Sequence, residues 1–234
     1  MLVVTFAFAA ATTDAGAATT GSASVAFSGY SWAVKASSGP VGPGPNVFSD
    51  SPENVSVDAA GQLHLRITYR DGRWRAAEVI LDRSLGYGTY RFSLSSPVGH
   101  LDPNVVLGLF TWSDDPAYHH REIDIELARW GRVSGPTNAQ YVVQPSGHAG
   151  NVRNFFQPDL PSSIHEFTWA PNRVSFRSAA ADGSQIASWS YSGRDVPRNG
   201  NERTRVNLWL DGGAPPKDGN AVEVVLSGFS FTPR

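Results

Sequence analysis

Short strand-like segments separated by turn residues fill this chain, and no long stretch has helical periodicity. Apolar and polar residues alternate over 62–70, and Asp71-Gly72 then offers a hairpin turn into 73–81. Further strand-like segments follow at 87–94, 104–112, 121–129, 139–144, 166–169, 173–177, 185–191, 203–210 and 221–231. Many short strands at such spacing predict an all-β fold, a jelly-roll sandwich of two antiparallel sheets.

The first 24 residues differ in composition from the rest of the chain. Residues 2–11 form an apolar run, a stretch of small residues follows to Ser24, and the first basic residue is Lys35. An apolar run before small residues is typical of a secretory signal, although such signals begin with a positive charge. The run is too short to span a bilayer. We predict a signal peptide or disordered tail over 1–24, one domain over 25–234, and a secreted or periplasmic protein.

Composition excludes several classes of function. The formal net charge is −2 and the pI is about 6.3, whereas a nucleic-acid or acidic-membrane partner requires a concentrated basic surface. The chain has no cysteine, which excludes disulfides and thiolate sites. Its 7 Trp, 7 Tyr and 12 Phe fit either flat apolar ligand surfaces or a large sandwich core. We expect a monomer that needs no cofactor.

Three acids alternate with apolar residues in the segment Glu122-Ile123-Asp124-Ile125-Glu126. On a strand the acids share one face and the isoleucines enter the core. Like charges on neighbouring positions of one face repel each other, so stability alone disfavours this arrangement. The alternative is an acidic edge that prevents aggregation. A pair of carboxyl groups is what retaining glycoside hydrolysis requires, and the segment therefore predicts a catalytic cluster.

Crowding of the three acids has a consequence for their protonation. Packed carboxylates cannot all ionise freely, so at least one should keep a proton near neutral pH and serve as a general acid. Asp124 lies between the two glutamates, and its expected role is to hydrogen-bond the nucleophile and hold a proton.

The acidic segment and its flanking motifs resemble glycoside hydrolase family 16, the laminarinase and lichenase group. Similar motifs follow in the family's order, at 54–58, 61–65, 77–79, 86–90, 109–112, 165–171 (H-x-x-x-W-x-P) and 207–209 (N-L-W). The resemblance covers about 32–231. It implies a concanavalin A-like jelly roll with the acids on its concave sheet and a retaining endo-β-glycanase activity. It also implies that Glu122 is the nucleophile, that Glu126 is the acid/base and that Asp124 assists.

The resemblance also implies a set of sugar-contacting residues: Glu78, Trp112, His120, Gln140, Asn207 and Trp209. Trp112 could equally be a core residue. This chain departs from lichenases beside the acids, where it has Ile80, His120, Val142 and Gln144 in place of an Arg, an aromatic residue, an Asn and a Tyr. The catalytic strand is therefore kept while its surroundings differ, and the sequence names no particular glycan.

Other functions remain open at this point. A transglycosylase would use the same acids, with a sugar hydroxyl in place of water. A lectin-like binding module or a structural surface domain would use none of them. His119-His120 could be metal ligands, but no third His or Cys lies nearby at metal-ligand spacing, and we expect no metal site.

Overall fold

The computed structural model describes residues 20–234, with side chains from Ala23 onward. The predicted signal peptide or tail, 1–24, lies outside the described residues except for its end, where the first strand begins. The described part of the chain contains no helix long and apolar enough to cross a membrane.

Sixteen strands make up this part of the chain. In chain order they are β1 (Thr20–Phe27), β2 (Tyr30–Lys35), β3 (Val55–Val57), β4 (Leu63–Arg70), β5 (Arg73–Arg75), β6 (Ala77–Leu81), β7 (Gly88–Leu94), β8 (Val105–Trp112), β9 (Ile123–Ala128), β10 (Ala139–Val143), β11 (Val152–Phe155), β12 (Ser163–Ala170), β13 (Arg173–Ala180), β14 (Gln185–Tyr191), β15 (Arg203–Leu210) and β16 (Val222–Pro233).

The strands form two antiparallel sheets packed face to face. The first sheet has the order β1-β2-β6-β15-β8-β9-β10-β11, and the second has the order β14-β13-β12-β7-β16-β4-β3, with β5 paired to β4. Consecutive strands often lie in different sheets, so the chain crosses repeatedly between the two layers. The predicted all-β sandwich of two antiparallel sheets is confirmed.

The core between the sheets is built from the inward residues of nearly every strand. Strand β9 contributes Ile123, Ile125 and Leu127, all fully buried. Behind the next strand, Tyr141 stacks on Phe176 of the second sheet with ring centroids 4.9 Å apart. The Tyr141 hydroxyl also donates to Ser178 Oγ at 2.7 Å. Much of the aromatic content therefore joins the sheets directly behind the acidic strand.

The segment predicted as one strand over 73–81 is divided in two. Strand β5 pairs with β4 in a hairpin, whereas β6 pairs with β2 and β15 in the first sheet. At the break, the Ala76 amide donates to the Val47 carbonyl, and Phe48 forms a parallel bridge with Ala76. Contacts between residues almost 30 positions apart in the chain thus determine where β5 ends and β6 begins. The local alternation of residues gives no sign of this break.

His165, in the H-x-x-x-W-x-P motif, is a fully buried titratable group of the second sheet. Its ring nitrogens bond to Ser163 Oγ at 2.9 Å and Ser178 Oγ at 2.8 Å. Burial lowers the pKa of His165 to about 3, because the charged imidazolium cannot be solvated there. The ring is therefore neutral in the fold, and this motif has a structural role.

We predict that His165 contributes to acid denaturation. Its pKa in the folded state lies below the unfolded value, so its stabilising effect is complete above pH ~6.5 and declines toward pH ~3. The loss should approach ~1.4 kcal/mol per pH unit in this window. His165→Gln should lower stability at pH 7 yet flatten the dependence of Tm on pH between 4 and 6. The exposed control His100→Gln should keep the wild-type slope, and an unchanged slope in His165→Gln would contradict the assignment.

Candidate active site

The three acids lie on the outer face of the first sheet, the face that points away from the core. Strand β9 is flanked by β8 and β10, with Asp124 opposite Phe110 on one side and Val142 on the other. Asp124 is 3% exposed, and Glu122 and Glu126 are half-buried. The predicted shared face is therefore occupied by carboxyl groups largely removed from water.

Burial, together with repulsion from neighbouring acids, raises the pKa of all three carboxyl groups. Desolvation is the largest cause at each of them. The charge of Glu126 further raises the pKa of Glu122, and both glutamates raise that of Asp124. Asp211 adds a smaller repulsion at Glu126. The cluster therefore retains protons at a pH where isolated carboxyl groups have lost them.

Hydrogen bonds distinguish the three groups. Asp124 bonds to Glu122, and this contact raises the pKa of Asp124 and lowers that of Glu122, as expected when Asp124 carries the proton and donates it. Gln144 Nε2 donates to Asp124 Oδ2 at 3.2 Å, and Gln140 Nε2 donates to Glu126 Oε2 at 2.6 Å. Gln140, expected to contact sugar, thus holds the carboxyl group of Glu126.

The chain reaches Glu122 through a strained turn. Tyr118, His119, His120 and Arg121 all have positive φ, between 51° and 61°. Such a conformation costs roughly 1–2 kcal/mol per non-glycine residue. The predicted strand over 121–129 is therefore shorter, Ile123–Ala128, and Glu122 directly precedes it.

Contacts on both sides hold this turn in place. Thr111 Oγ1 donates to the Arg121 carbonyl at 2.8 Å, and the Arg121 guanidinium pairs with Asp115 at 3.0 Å. Arg121 is 9% exposed. Arg121, the first residue of the predicted strand over 121–129, belongs instead to the left-handed turn. Its ion pair with the half-exposed Asp115 anchors the backbone beside the nucleophile candidate.

His120 and Trp112 form a stacked aromatic pair next to Glu122. Their rings are parallel within 7°, with centroids 4.1 Å apart. His120 Nδ1 lies 2.8 Å from the Ser113 carbonyl, which can only accept, so Nδ1 carries the proton. Trp112 Nε1 donates to Asp114 at 3.2 Å. Trp112 is half-buried on the outer face and is therefore not a core residue.

A second aromatic pair and a buried amide lie toward the other end of the acids. Trp209 packs its ring against Trp130, with centroids 6.0 Å apart at 63°. Asn207, 3% exposed, lies opposite Gly108, which in turn lies opposite Glu126. A side chain at position 108 would collide with Asn207 Oδ1. Gly108 is thus the residue that lets Asn207 lean toward the acids.

Glu78 differs from its expected role as a sugar contact. It is 1% exposed, and its two oxygens accept from Lys35 Nζ at 2.8 Å and Arg205 Nη1 at 3.0 Å. Both oxygens are therefore already bound by protein cations. Arg205 also lies directly opposite Ile80 in the register of β6 and β15. The neighbouring strand thus places an arginine beside Ile80, the position at which the sequence comparison with lichenases expects one.

Sequence reasoning did not identify Lys35, Arg205, Trp130 or Asp211 as neighbours of the acids. Arg205 carried a usable signal, because Arg203, Arg205, Asn207 and Trp209 alternate along one strand. The other three had none. Lys35 is brought in from β2, and Trp130 and Asp211 lie just beyond strand ends.

Comparisons with known proteins agree on the fold. No protein-family model and no curated protein sequence matches the chain. A β-glucanase of Bacillus licheniformis has 19% identity, with 87% of this chain and 92% of that chain covered and a TM-score of 0.64. A β-1,3-glucanase from Mycobacterium marinum has 18% identity, coverages of 86% and 90%, and a TM-score of 0.66. The chain shares the jelly-roll sandwich of these β-glucanases.

A third solved structure is similar to the same extent. It is described as an immunostimulatory antigen and pseudo β-1,3-glucanase of Mycobacterium tuberculosis, with 21% identity, coverages of 87% and 91%, and a TM-score of 0.65. The same fold therefore occurs under names that imply catalysis and under a name that does not.

We predict that Asp124→Asn stabilises the protein at alkaline pH. The pKa of Asp124 is raised in the fold, so its contribution is favourable at acidic pH and declines as the pH rises from ~4 toward the folded value, by up to ~1.4 kcal/mol per unit. Asparagine does not titrate and can keep both hydrogen bonds. Tm of Asp124→Asn should exceed that of wild type at pH 8, with the difference shrinking at pH 5.

The control for this prediction is Asp182→Asn, on the exposed hairpin between β13 and β14. Its hydrogen bonds with Ser184 lower the pKa of Asp182, so this carboxylate has the opposite linkage and the variant should gain nothing at pH 8. A loss of Tm in Asp124→Asn that grows with pH would show that Asp124 is ionised in the fold.

Proposed function

We propose that the protein is a retaining endo-β-glycanase that hydrolyses a β-linked polysaccharide through a covalent glycosyl-enzyme intermediate. One observation carries the proposal: three carboxyl groups share a partly water-excluded outer face, and Asp124 bonds to Glu122 while Gln140 bonds to Glu126. The two glutamates therefore differ in their surroundings, as a nucleophile and an acid/base must.

The proposed reaction has two steps. Glu122, as carboxylate, attacks the anomeric carbon, and the glycosidic bond breaks while Glu126 gives its proton to the leaving oxygen. Glu126, now a carboxylate, then takes a proton from water, whose oxygen attacks the anomeric carbon and releases Glu122. Asp124 keeps its proton throughout and donates to Glu122, which positions the nucleophile. The raised pKa of Glu126, about 7, suits a proton donor, and that of Asp124 suits a group that keeps its proton. Burial raises the pKa of Glu122 to about 8, and the hydrogen bond with Asp124 and the charge of Arg205 favour its carboxylate form against this burial.

The two aromatic pairs support a polysaccharide substrate. Trp112, stacked on His120, and Trp209, packed edge-on against Trp130, are half-buried indoles near opposite ends of the acidic run. Sugar rings stack on exposed indole faces through their apolar sides. Because the solved structures named above are β-glucanases, we propose a β-glucan as the first substrate to test. A polymeric substrate and the apolar run at residues 2–11 support action outside the cytoplasm.

A non-catalytic glycan-binding domain is the second candidate, and one comparison favours it. A structure similar to this chain is called a pseudo β-1,3-glucanase. Against it, the carboxyl cluster is complete here, and binding alone gives no reason to bury three acids together. A transglycosylase shares the chemistry of the first candidate and would yield products longer than the substrate at high oligosaccharide concentration.

We predict that the wild-type protein releases reducing ends from at least one member of a panel of lichenan, laminarin, xyloglucan, agarose, carrageenan and hyaluronan. Glu122→Gln should reduce this activity by at least ~10³-fold, because the nucleophile is lost. The control Glu53→Gln alters a glutamate that pairs with Arg70 at the surface and should leave activity unchanged. Binding of the panel without any release, equal in wild type and Glu122→Gln, would favour the binding domain.

We further predict that the first-formed product keeps the β configuration. Two successive inversions at the anomeric carbon give net retention. Proton NMR of the anomeric signals, recorded during the first minutes of hydrolysis, checks this. Prompt appearance of the α anomer would exclude Glu122 as a nucleophile and indicate direct attack by water.

A further inference from the structure

Two cations share one buried carboxylate beside the acidic cluster, on the same face of the first sheet. Lys35 and Arg205 donate to the two oxygens of Glu78, and the side chains of all three are at most 12% exposed. We call these three residues the floor triad. At neutral pH the floor triad carries one surplus positive charge, because two cations are matched by one carboxylate.

The surplus charge is held close to the acids and away from water. Arg205 lies opposite Phe110, which lies opposite Asp124, so about 10 Å, two strand spacings, separates Arg205 from the acidic strand. Its other strand neighbour is the buried Ile80, and its guanidinium lies 5.9 Å from the Trp112 ring centroid. Apolar neighbours reduce screening, and a charge acts over this distance.

The position of the guanidinium is fixed by its partners. Nη1 is bound to Glu78, and Nη2 lies 3.4 Å from Asp114. Asp114 is 94% exposed, so water screens its charge and it offsets little of the surplus. Nε is buried and has no partner within residues 20–234. The guanidinium is therefore positioned by Glu78 but not neutralised by it alone.

We propose that Arg205 is a positioning residue for the hydrolysis: anchored by Glu78, it supplies a charge that favours ionisation of Glu122 over that of Asp124 and Glu126. One surplus positive charge can stabilise one ionised carboxyl group in the cluster. The double-displacement reaction needs one such group, the nucleophile. This inference rests on the proposed function, because only a nucleophile must be ionised in the resting site.

The charged groups around Glu122 agree with this assignment. Asp124 and Glu126 lie on its own strand, and His120 lies on the turn before it. Arg121 faces Asp115 and is already paired. Burial and Glu126 raise the pKa of Glu122, whereas the hydrogen bond with Asp124 and the charge of Arg205 lower it. Arg205 is thus the cation that opposes the cost of ionising Glu122.

The test compares three variants on the glycan that the wild type hydrolyses. Arg205→Met keeps the packing against Ile80 and leaves Glu78 paired with Lys35, so it should fold; Arg205→Gln replaces it if thermal unfolding shows otherwise. The acid limb of the kcat/KM profile, set by ionisation of Glu122, should move up by roughly one pH unit. Arg205→Lys, which keeps the charge, should restore most of the shift. Arg73→Met, an exposed arginine on β5 of the hairpin with β4, should leave the limb in place.

A readout without substrate separates this inference from the proposed function. The side-chain carboxyl carbons of ¹³C-labelled glutamate report each titration by NMR, with Glu122 assigned from Glu122→Gln. The Glu122 midpoint should rise in Arg205→Met and not in Arg73→Met. If the Glu122 midpoint rises but the protein cleaves no glycan, the glycanase proposal is refuted and the electrostatic effect of Arg205 on Glu122 is upheld. An active enzyme in which neither the midpoint nor the acid limb moves would overturn the role of Arg205.

Discussion

Burial of the carboxyl groups of Glu122, Asp124 and Glu126 is the constraint on which the rest of the site depends. An unpaired carboxylate removed from water is expensive, so each group needs a proton, a donor or a nearby cation. Gln140 and Gln144 supply amide donors from the strand on one side. The strands on the other side supply the floor triad. Neighbouring strands of the same sheet therefore offset the free-energy cost of burying the three carboxyl groups.

The second constraint is the strained turn from Tyr118 to Arg121. Four consecutive residues with positive φ persist only where surrounding contacts outweigh their cost. Here the ion pair of Arg121 with Asp115, the hydrogen bond from Thr111 and the stack of His120 on Trp112 supply those contacts. The result is an aromatic surface placed directly beside Glu122. Strain and binding surface are two consequences of one backbone conformation.

Features that depend on alternation along a strand were predicted correctly from the sequence. The face shared by the three acids follows from a period of two, as do the core positions of Ile123 and Ile125. The points at which strands are interrupted or begin were not predicted from the sequence. The division of 73–81 at Ala76 depends on a bridge to Phe48, and the start of β9 only after Glu122 depends on the contacts of Arg121 with Asp115 and Thr111. Neither leaves a signal in the neighbouring residues.

The sequence by itself determined that the chain folds as an all-β sandwich and that three acids share one face of one strand, because both follow from local periodicity. Only the tertiary structure decided what surrounds those acids. It places Lys35 and Arg205 on the two oxygens of Glu78, Arg205 opposite Ile80, and the ring of His120 on that of Trp112. The first two contacts join residues far apart in the chain, which only the register of the strands brings together, and the third depends on the strained turn before Glu122.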